Sequence, residues 1–258
     1  MNVMVFDIET IPDVDNGRQL LGLPPETTDQ AVVTALRERR LSQTQQSSDF
    51  LPHYLQKIVA ISVLLSTQES VKVWSLGECD SPEKVLVERF FSGIDKYTPT
   101  LVSWNGGGFD CPVLHYRALI HGVVASRYWE TGRQDPQFKW NSYISRYHER
   151  HTDLMDVLAN YNARANAPLS EMAMMLGFPG KLGEHGDQVW DKYQAGEIQA
   201  IRDYCETDVV NTYGVYLAFQ KMRGILDEDA VQWEKKRLYA HLVARNQPHW
   251  APFLEALI

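Results

Sequence analysis

Three groups of residues in this chain have the types and spacing to do chemistry. The first is Asp7-Ile8-Glu9-Thr10, at the end of an apolar run over 3–8. Residues two apart in a strand project to the same face, so Asp7 and Glu9 set two carboxylates side by side where Val3 and Val5 point into a core. Adjacent anions repel, and burial raises the cost. A bound cation would resolve the conflict; the alternative is a strand that has ended, with both acids in water. The second group is Trp104-Asn105-Gly106-Gly107-Gly108-Phe109-Asp110-Cys111-Pro112. It has neither the Lys-Ser/Thr of a P-loop nor GxGxxG spacing, which leaves a nucleotide-cofactor reading weak. Pro112 near a helix start makes Asp110 an N-cap or a first-turn acid.

The third group is Tyr204-Cys205-Glu206-Thr207-Asp208, inside a long helical stretch. Ile198, Ile201, Cys205 and Thr212 step along one face, and Asp208 falls on that stripe, a carboxylate where an apolar side chain is expected. Tyr204 lies one turn earlier and can reach the same place. A buried hydrogen-bonding aspartate is the bland alternative. Oxygen-donor acids in this number suit Mg²⁺ or Mn²⁺ better than zinc, which prefers His and Cys.

The elements that must position these groups follow from periodicity. The run over 3–8 suits a central strand covered on both faces. Runs over 58–65 and 70–76, separated by Ser66-Thr67-Gln68-Glu69, predict a hairpin. A helix follows, with Ser81 as its cap and Pro82 in its first turn, and then a strand over 100–104. That order predicts a mixed α/β sheet. The polar stretch 11–56 holds a helix near 29–40 and a mobile piece over 43–48. After Asp153 the pattern is helical over 169–176, 188–194, 197–222 and 227–245, without an internal repeat.

The chain has 258 residues, enough for one large domain or one with attachments. Its 44% hydrophobic and 22% charged residues exclude a disordered or low-complexity class. A net charge of -8 disfavours a histone-like binder, so any nucleic-acid contact must be local or metal-assisted. Cys79, Cys111 and Cys205 are widely spaced and read as reduced thiols. Without a basic n-region before an apolar stretch, or the ~20 apolar residues that span a bilayer, the expected location is the cytoplasm.

Taken in order, the three motifs resemble the exonuclease domain of family-B DNA polymerases, in the tyrosine branch of the DEDD exonuclease superfamily. The likeness is greatest to a stand-alone bacterial group related to that domain, and it runs over about 2–217. In the histidine branch a His would stand five residues before the last Asp; here that residue is Asp203. The resemblance implies an α/β, ribonuclease-H-like mixed β-sheet flanked by helices. It implies that Asp7, Glu9, Asp110 and Asp208 hold two divalent cations, Mg²⁺ or Mn²⁺, and that Tyr204 orients the attacking water. The reaction would be 3′-to-5′ removal of nucleoside 5′-monophosphates from a single-stranded DNA 3′ end. By the same likeness Asn105 and Phe109 approach the terminal nucleotide; turn formation and core packing are their structural alternatives.

The implied exonuclease domain covers 1–225, with 11–56 an insertion long for a proofreading domain, and 226–258 a helical extension packed on it. No polymerase palm or fingers fit after Leu217. Lys181 matches a family lysine only loosely and reads as an exposed loop residue. Of Asp153 and Asp156, one reads as a helix cap and the other as a residue behind the site. The stretch 126–151 interleaves cations with aromatics, among them Trp129 and Trp140, which could guide a single strand. Its alternative is a solvated hairpin with aromatics packed inward. Two rival functions stay open: an exoribonuclease of the same mechanism, since nothing reads the 2′-hydroxyl recognisably, and a non-catalytic protein that binds nucleic acid or accompanies a polymerase.

Overall fold

The structure is a computed structural model and describes residues 2–180 and 186–257. Its middle strand, β1 (Val3–Pro12), pairs antiparallel with β2 (Gln56–Ser66), which pairs antiparallel with β3 (Val71–Ser75). On the other side β4 (Thr100–Ser103) runs parallel to β1, and β5 (His151–Asp153) parallel to β4. The result is a mixed five-stranded sheet in the order β3-β2-β1-β4-β5. It is the α/β sheet expected from the sequence. The middle strand outlasts its apolar run because Thr10 to Pro12 keep pairing with β2 beyond a bulge between Glu9 and Thr10.

Helices α1 (Val14–Leu21) and α2 (Asp29–Gln43) fill the connection from β1 to β2; α3 (Glu83–Tyr97) and α4 (Asp110–His121) flank β4 in sequence. The short helices α5 (Leu154–Leu158), α6 (Leu169–Met175) and α7 (Val189–Gln194) lead into α8 (Ile198–Met222), followed by α9 (Glu228–Arg245) and α10 (Ala251–Ala256). Among the described residues no helix is long and apolar enough to cross a membrane.

Both faces of β1 are buried, which explains its nearly unbroken apolar sequence. Met4, Phe6 and Ile8 pack with Leu86, Phe90 and Phe91 of α3 and Val113 and Leu114 of α4. Val3 and Val5 pack on the opposite face with Val209, Val210 and Tyr213 of α8, in a core that Leu238, Leu242, Trp250 and Phe253 complete. A third core joins Ile11, Val32, Val33, Leu36 and Leu55 to Ile201 and Cys205. The polar 11–56 stretch thus carries its own apolar seam, which seats α2 beside the first turns of α8.

Two local expectations change. Helix α3 is capped by Pro82, not Ser81: Pro82 is still extended, so Ser81 stands too early to reach the helical N–H groups, and its Oγ accepts the Glu78 N–H at 2.8 Å instead. Within 43–48, Thr44 Oγ1 donates to the Ser48 carbonyl at 2.7 Å and accepts its N–H at 3.2 Å. The aromatics of 126–151 divide between core and surface. Tyr128, Phe138 and Tyr143 are buried, with the Arg127 and Arg150 guanidiniums over the Phe138 ring at 4.5 and 3.9 Å, whereas Trp129 and Trp140 are exposed.

Candidate active site

Alternation along β1 carries Asp7 and Glu9 onto the face of Val3 and Val5, toward α8. The bulge follows Glu9 directly, the kind of irregularity that re-aims a side chain at a sheet rim. Glu9 is buried and Asp7 half-buried. Their carboxylate oxygens and Cys205 Sγ from α8 lie within 4.8 Å of one another. The Cys205 thiol donates to the Asp7 carbonyl at 3.4 Å and to its Oδ2 at 3.5 Å. Burial and the Asp7 and Glu9 charges push that thiol well up, so it is a neutral donor rather than a thiolate ligand.

The glycine-rich loop delivers the third acid. Asn105 turns the chain at φ 63°, and a Cβ at Gly106 would come within 2.3 Å of Ser103 Oγ and 2.5 Å of Ser103 Cβ, so that position takes no side chain without a shift of its neighbour. The two oxygens of Asp153, at the end of β5, accept the Asn105 and Gly107 N–H groups at 2.9 and 2.8 Å. Asp153 also caps α5 through the Asp156 N–H. Held this way, the loop makes Phe109 the N-cap of α4 and Asp110 its first residue. Asp110 is therefore a first-turn acid, and its Oδ1 accepts the Ile8 N–H at 3.1 Å, tying α4 to β1 beside Asp7.

Asp208 and Tyr204 complete the site from α8, both buried. Asp7, Glu9, Asn105, Phe109, Asp110, Tyr204 and Asp208 line one open cleft of about 480 Å³. Burial raises the Asp7 carboxyl well above the usual range, and the charges of Asp110, Glu9 and Asp208 raise it further. Burial lifts Asp110 to about 7, with the charge of Asp153 adding to it and the hydrogen bond from the Ile8 N–H working against it. Burial, then the charges of Asp208, Glu9 and Asp7, holds the Tyr204 phenol above its ordinary range. It stays protonated at neutral pH and can donate a hydrogen bond but not act as a base. A cluster that resists its own ionisation is a cluster that divalent cations would stabilise.

The structure thus gathers every acid the sequence pointed to, together with Tyr204, Asn105 and Phe109. It does not bring Trp129 or Trp140 to the cleft: Trp129 packs on His115 and Tyr128, and the Trp140 ring sits under Lys139. Lys181 lies outside the described residues. Sequence reasoning did not assign Cys205 its hydrogen bonds to Asp7, nor Asp153 its grip on the loop. The signal for Asp153 was its place before a short apolar helix, which marks a cap but not a second task. Trp104, named in the sequence only as the first residue of the glycine-rich group, also lines the cleft, as do Met155 and Leu169, to which no role was assigned.

Known proteins resemble this chain in sequence and in fold. Residues 48–257 match the family described as a predicted 3′-5′ exonuclease related to the exonuclease domain of PolB. Asp110, Tyr204 and Asp208 fall inside that span; Asp7 and Glu9 precede it. The catalytic polypeptide of DNA polymerase epsilon from Emericella nidulans is 29% identical over 142 residues, 53% of this chain. Its Saccharomyces cerevisiae counterpart is 27% identical over 148 residues, 54% of the chain. Each match spans only 6% of the relative's own length. The family B DNA polymerase from the hyperthermophilic archaeon Pyrobaculum calidifontis aligns with a TM-score of 0.50 at 19% identity, over 100% of this chain and 27% of that one, a likeness of fold.

Proposed function

Since the chain belongs to the family of predicted 3′-5′ exonucleases related to the exonuclease domain of PolB, we propose that it is itself a metal-dependent 3′-5′ exonuclease that releases nucleoside 5′-monophosphates from single-stranded DNA. The observation that carries this reading is the convergence of Asp7, Glu9, Asp110 and Asp208, from a strand and two helices, on one cleft with Tyr204. Their all-oxygen donor set and their raised carboxyls fit two Mg²⁺ or Mn²⁺ ions. Bound there, the ions would acidify the attacking water and stabilise charge on the leaving 3′ oxygen. The protonated Tyr204 hydroxyl orients that water. Asn105 and Phe109, on the loop that Asp153 braces, face the terminal nucleotide.

The exonuclease unit is 1–225 and the segment 226–258 its helical extension. The free Cys79, Cys111 and Cys205 fit a cytoplasmic setting. The test is Mn²⁺-dependent shortening of a 5′-labelled single strand, with matched DNA and RNA run in parallel. The reading predicts a ladder receding from the 3′ end, mononucleotide 5′-phosphates as product, and complete loss in EDTA. Faster digestion of RNA would transfer the reading to an exoribonuclease; cleavage that persists in EDTA would overturn it.

A further inference from the structure

The 11–56 stretch does more than cover α8. Its last part, residues 48–55, brings two rings against Phe109 at the cleft: Phe50 at 5.8 Å between centroids and His53 at 5.6 Å. Beyond them Tyr54 meets Tyr116 of α4 edge-on at 6.2 Å. These rings are not core. Phe50 is 57% exposed, Tyr54 42% and Tyr116 44%. The backbone beneath them is nevertheless fixed. Leu51 and Leu55 are buried, Gln56 Nε2 donates to the Leu51 carbonyl at 3.0 Å, and Arg40 Nε donates to the Phe50 carbonyl at 3.0 Å. An apolar ring held out in water on an ordered backbone is already arranged to bind a flat partner.

Beside Phe50 opens a second cavity of about 450 Å³, walled by Pro12, Arg37, Asp49, Leu51 and Trp190. It adjoins the acid cleft: Gly186 borders both, and Thr10, next to Glu9, lies in its wall. Its volume is in the range of small-ligand sites. Arg37 projects from α2, is exposed, and makes no ion pair with any described residue, while Asp49 is the acid in the same wall. A protein of net charge -8 cannot hold a polyanion by its overall field, so grip must come from stacking and from a few placed cations.

We propose that this groove is a subsite for the nucleotides preceding the 3′-terminal one, with a base on the Phe50 ring and a backbone phosphate toward Arg37. It rests on the exonuclease reading and extends it: the insertion is the part of the chain that grips the single strand, and the strand leaves the cleft over Phe50 and Tyr54, away from Trp129 and Trp140. Base stacking tolerates any sequence, so the subsite recognises single-stranded nucleic acid as a class.

The experiment is photo-cross-linking of single-stranded decamers carrying 5-iododeoxyuridine second or third from the 3′ end. Irradiation is done in Ca²⁺, a larger oxygen-seeking cation, and the tryptic peptides are read by mass spectrometry. The expected adduct is on the peptide 41–57, which contains Phe50 and Tyr54. Phe50→Ala should weaken decamer binding by about tenfold, the scale of one lost stacked base. Adducts on 128–133 or 140–146, the peptides of Trp129 and Trp140, with 41–57 unmodified, would overturn the subsite. So would unchanged decamer affinity in Phe50→Ala. Mn²⁺-started digestion of the same decamer separates the two levels. A strand that shortens while its adducts fall elsewhere sinks only the subsite; a strand that never shortens from its 3′ end sinks the exonuclease reading and the subsite with it.

Discussion

Two clusters of acids lie toward the two ends of α4, and they have opposite electrostatics. Around Arg117 of α4, the guanidinium pairs with Asp13 through one nitrogen and with Glu83 through two, and Glu83 also meets His121 Nε2 at 2.8 Å. Burial works against the charge of Asp13, but the hydrogen bonds from Asn16 and the charge of Arg117 outweigh it and hold the carboxyl below its usual range. In the cleft the balance reverses. Burial and like charges push Asp7 and Asp110 up. Both clusters bury carboxylates at element ends, and only the second leaves them resisting ionisation. Burial of acids therefore does not by itself mark a site; the two clusters differ in whether their surroundings favour or oppose ionisation. Arg117 closes the first cluster into a structural clamp joining the N-cap of α1, α3 and α4. The second, on the proposed reading, is completed by divalent cations.

The contrast can be broken by single substitutions, beginning with the largest expected effect. Asp7→Ala should abolish Mn²⁺-dependent cleavage while the protein stays folded, because removing one of several crowded carboxylates relieves repulsion. Nuclease assay and melting temperature on the same preparation check both halves. Arg117→Met should do the reverse, lowering stability by about 3–5 kcal/mol by stranding Asp13 and Glu83, as read by urea unfolding. If both variants lose stability alike, the two clusters are the same kind of object and the distinction fails.

Smaller effects sharpen the picture. Tyr204→Phe keeps the ring and removes the hydroxyl, so single-turnover rates should fall roughly ten- to a thousandfold while Mn²⁺ affinity changes little. A variant at full speed would mean that the water is ordered by another group. The metal-free protein should also lose stability as pH rises. Asp110 has an unfolded value near 3.8 and a folded one of about 7, so between them the folded state binds more protons than the unfolded one. Its contribution is therefore fully present below about pH 4 and lost as pH climbs through 7. Asp110→Asn should flatten this part of the profile in thermal melts recorded in EDTA, and saturating Mn²⁺ should flatten it for the wild type.

What the sequence disclosed of this arrangement follows from how local each signal is. Asp7, Glu9 and Asp208 were legible because each breaks an apolar period at a place where the period itself says the side chain points inward. Asp110 was legible because a glycine-rich loop and Pro112 marked a helix start. β5 was not, since three residues, His151 to Asp153, carry too little pattern, and the strand exists because it pairs with β4. The same holds for Asp153, whose partners Asn105 and Gly107 are almost fifty residues away, and for Cys205, whose partner Asp7 is 198 residues away. Trp129 and Trp140 show the converse: a stretch dense in cations and aromatics suggested a strand guide, and the fold placed their rings apart from the cleft, with much of the remaining aromatic content in the core. The aromatic surface that does reach the cleft sits in the stretch whose composition read as polar and mobile.

Whether Asp7, Glu9, Asp110 and Asp208 form one site for divalent cations is read by anomalous scattering from a crystal soaked with Mn²⁺ and a nucleoside 5′-monophosphate. Two manganese peaks among these four carboxylates, roughly 3.5 to 4 Å apart with the phosphate bridging them, are the result expected. Manganese bound elsewhere, or a cleft that takes the nucleotide with no metal between the acids, would contradict a shared site.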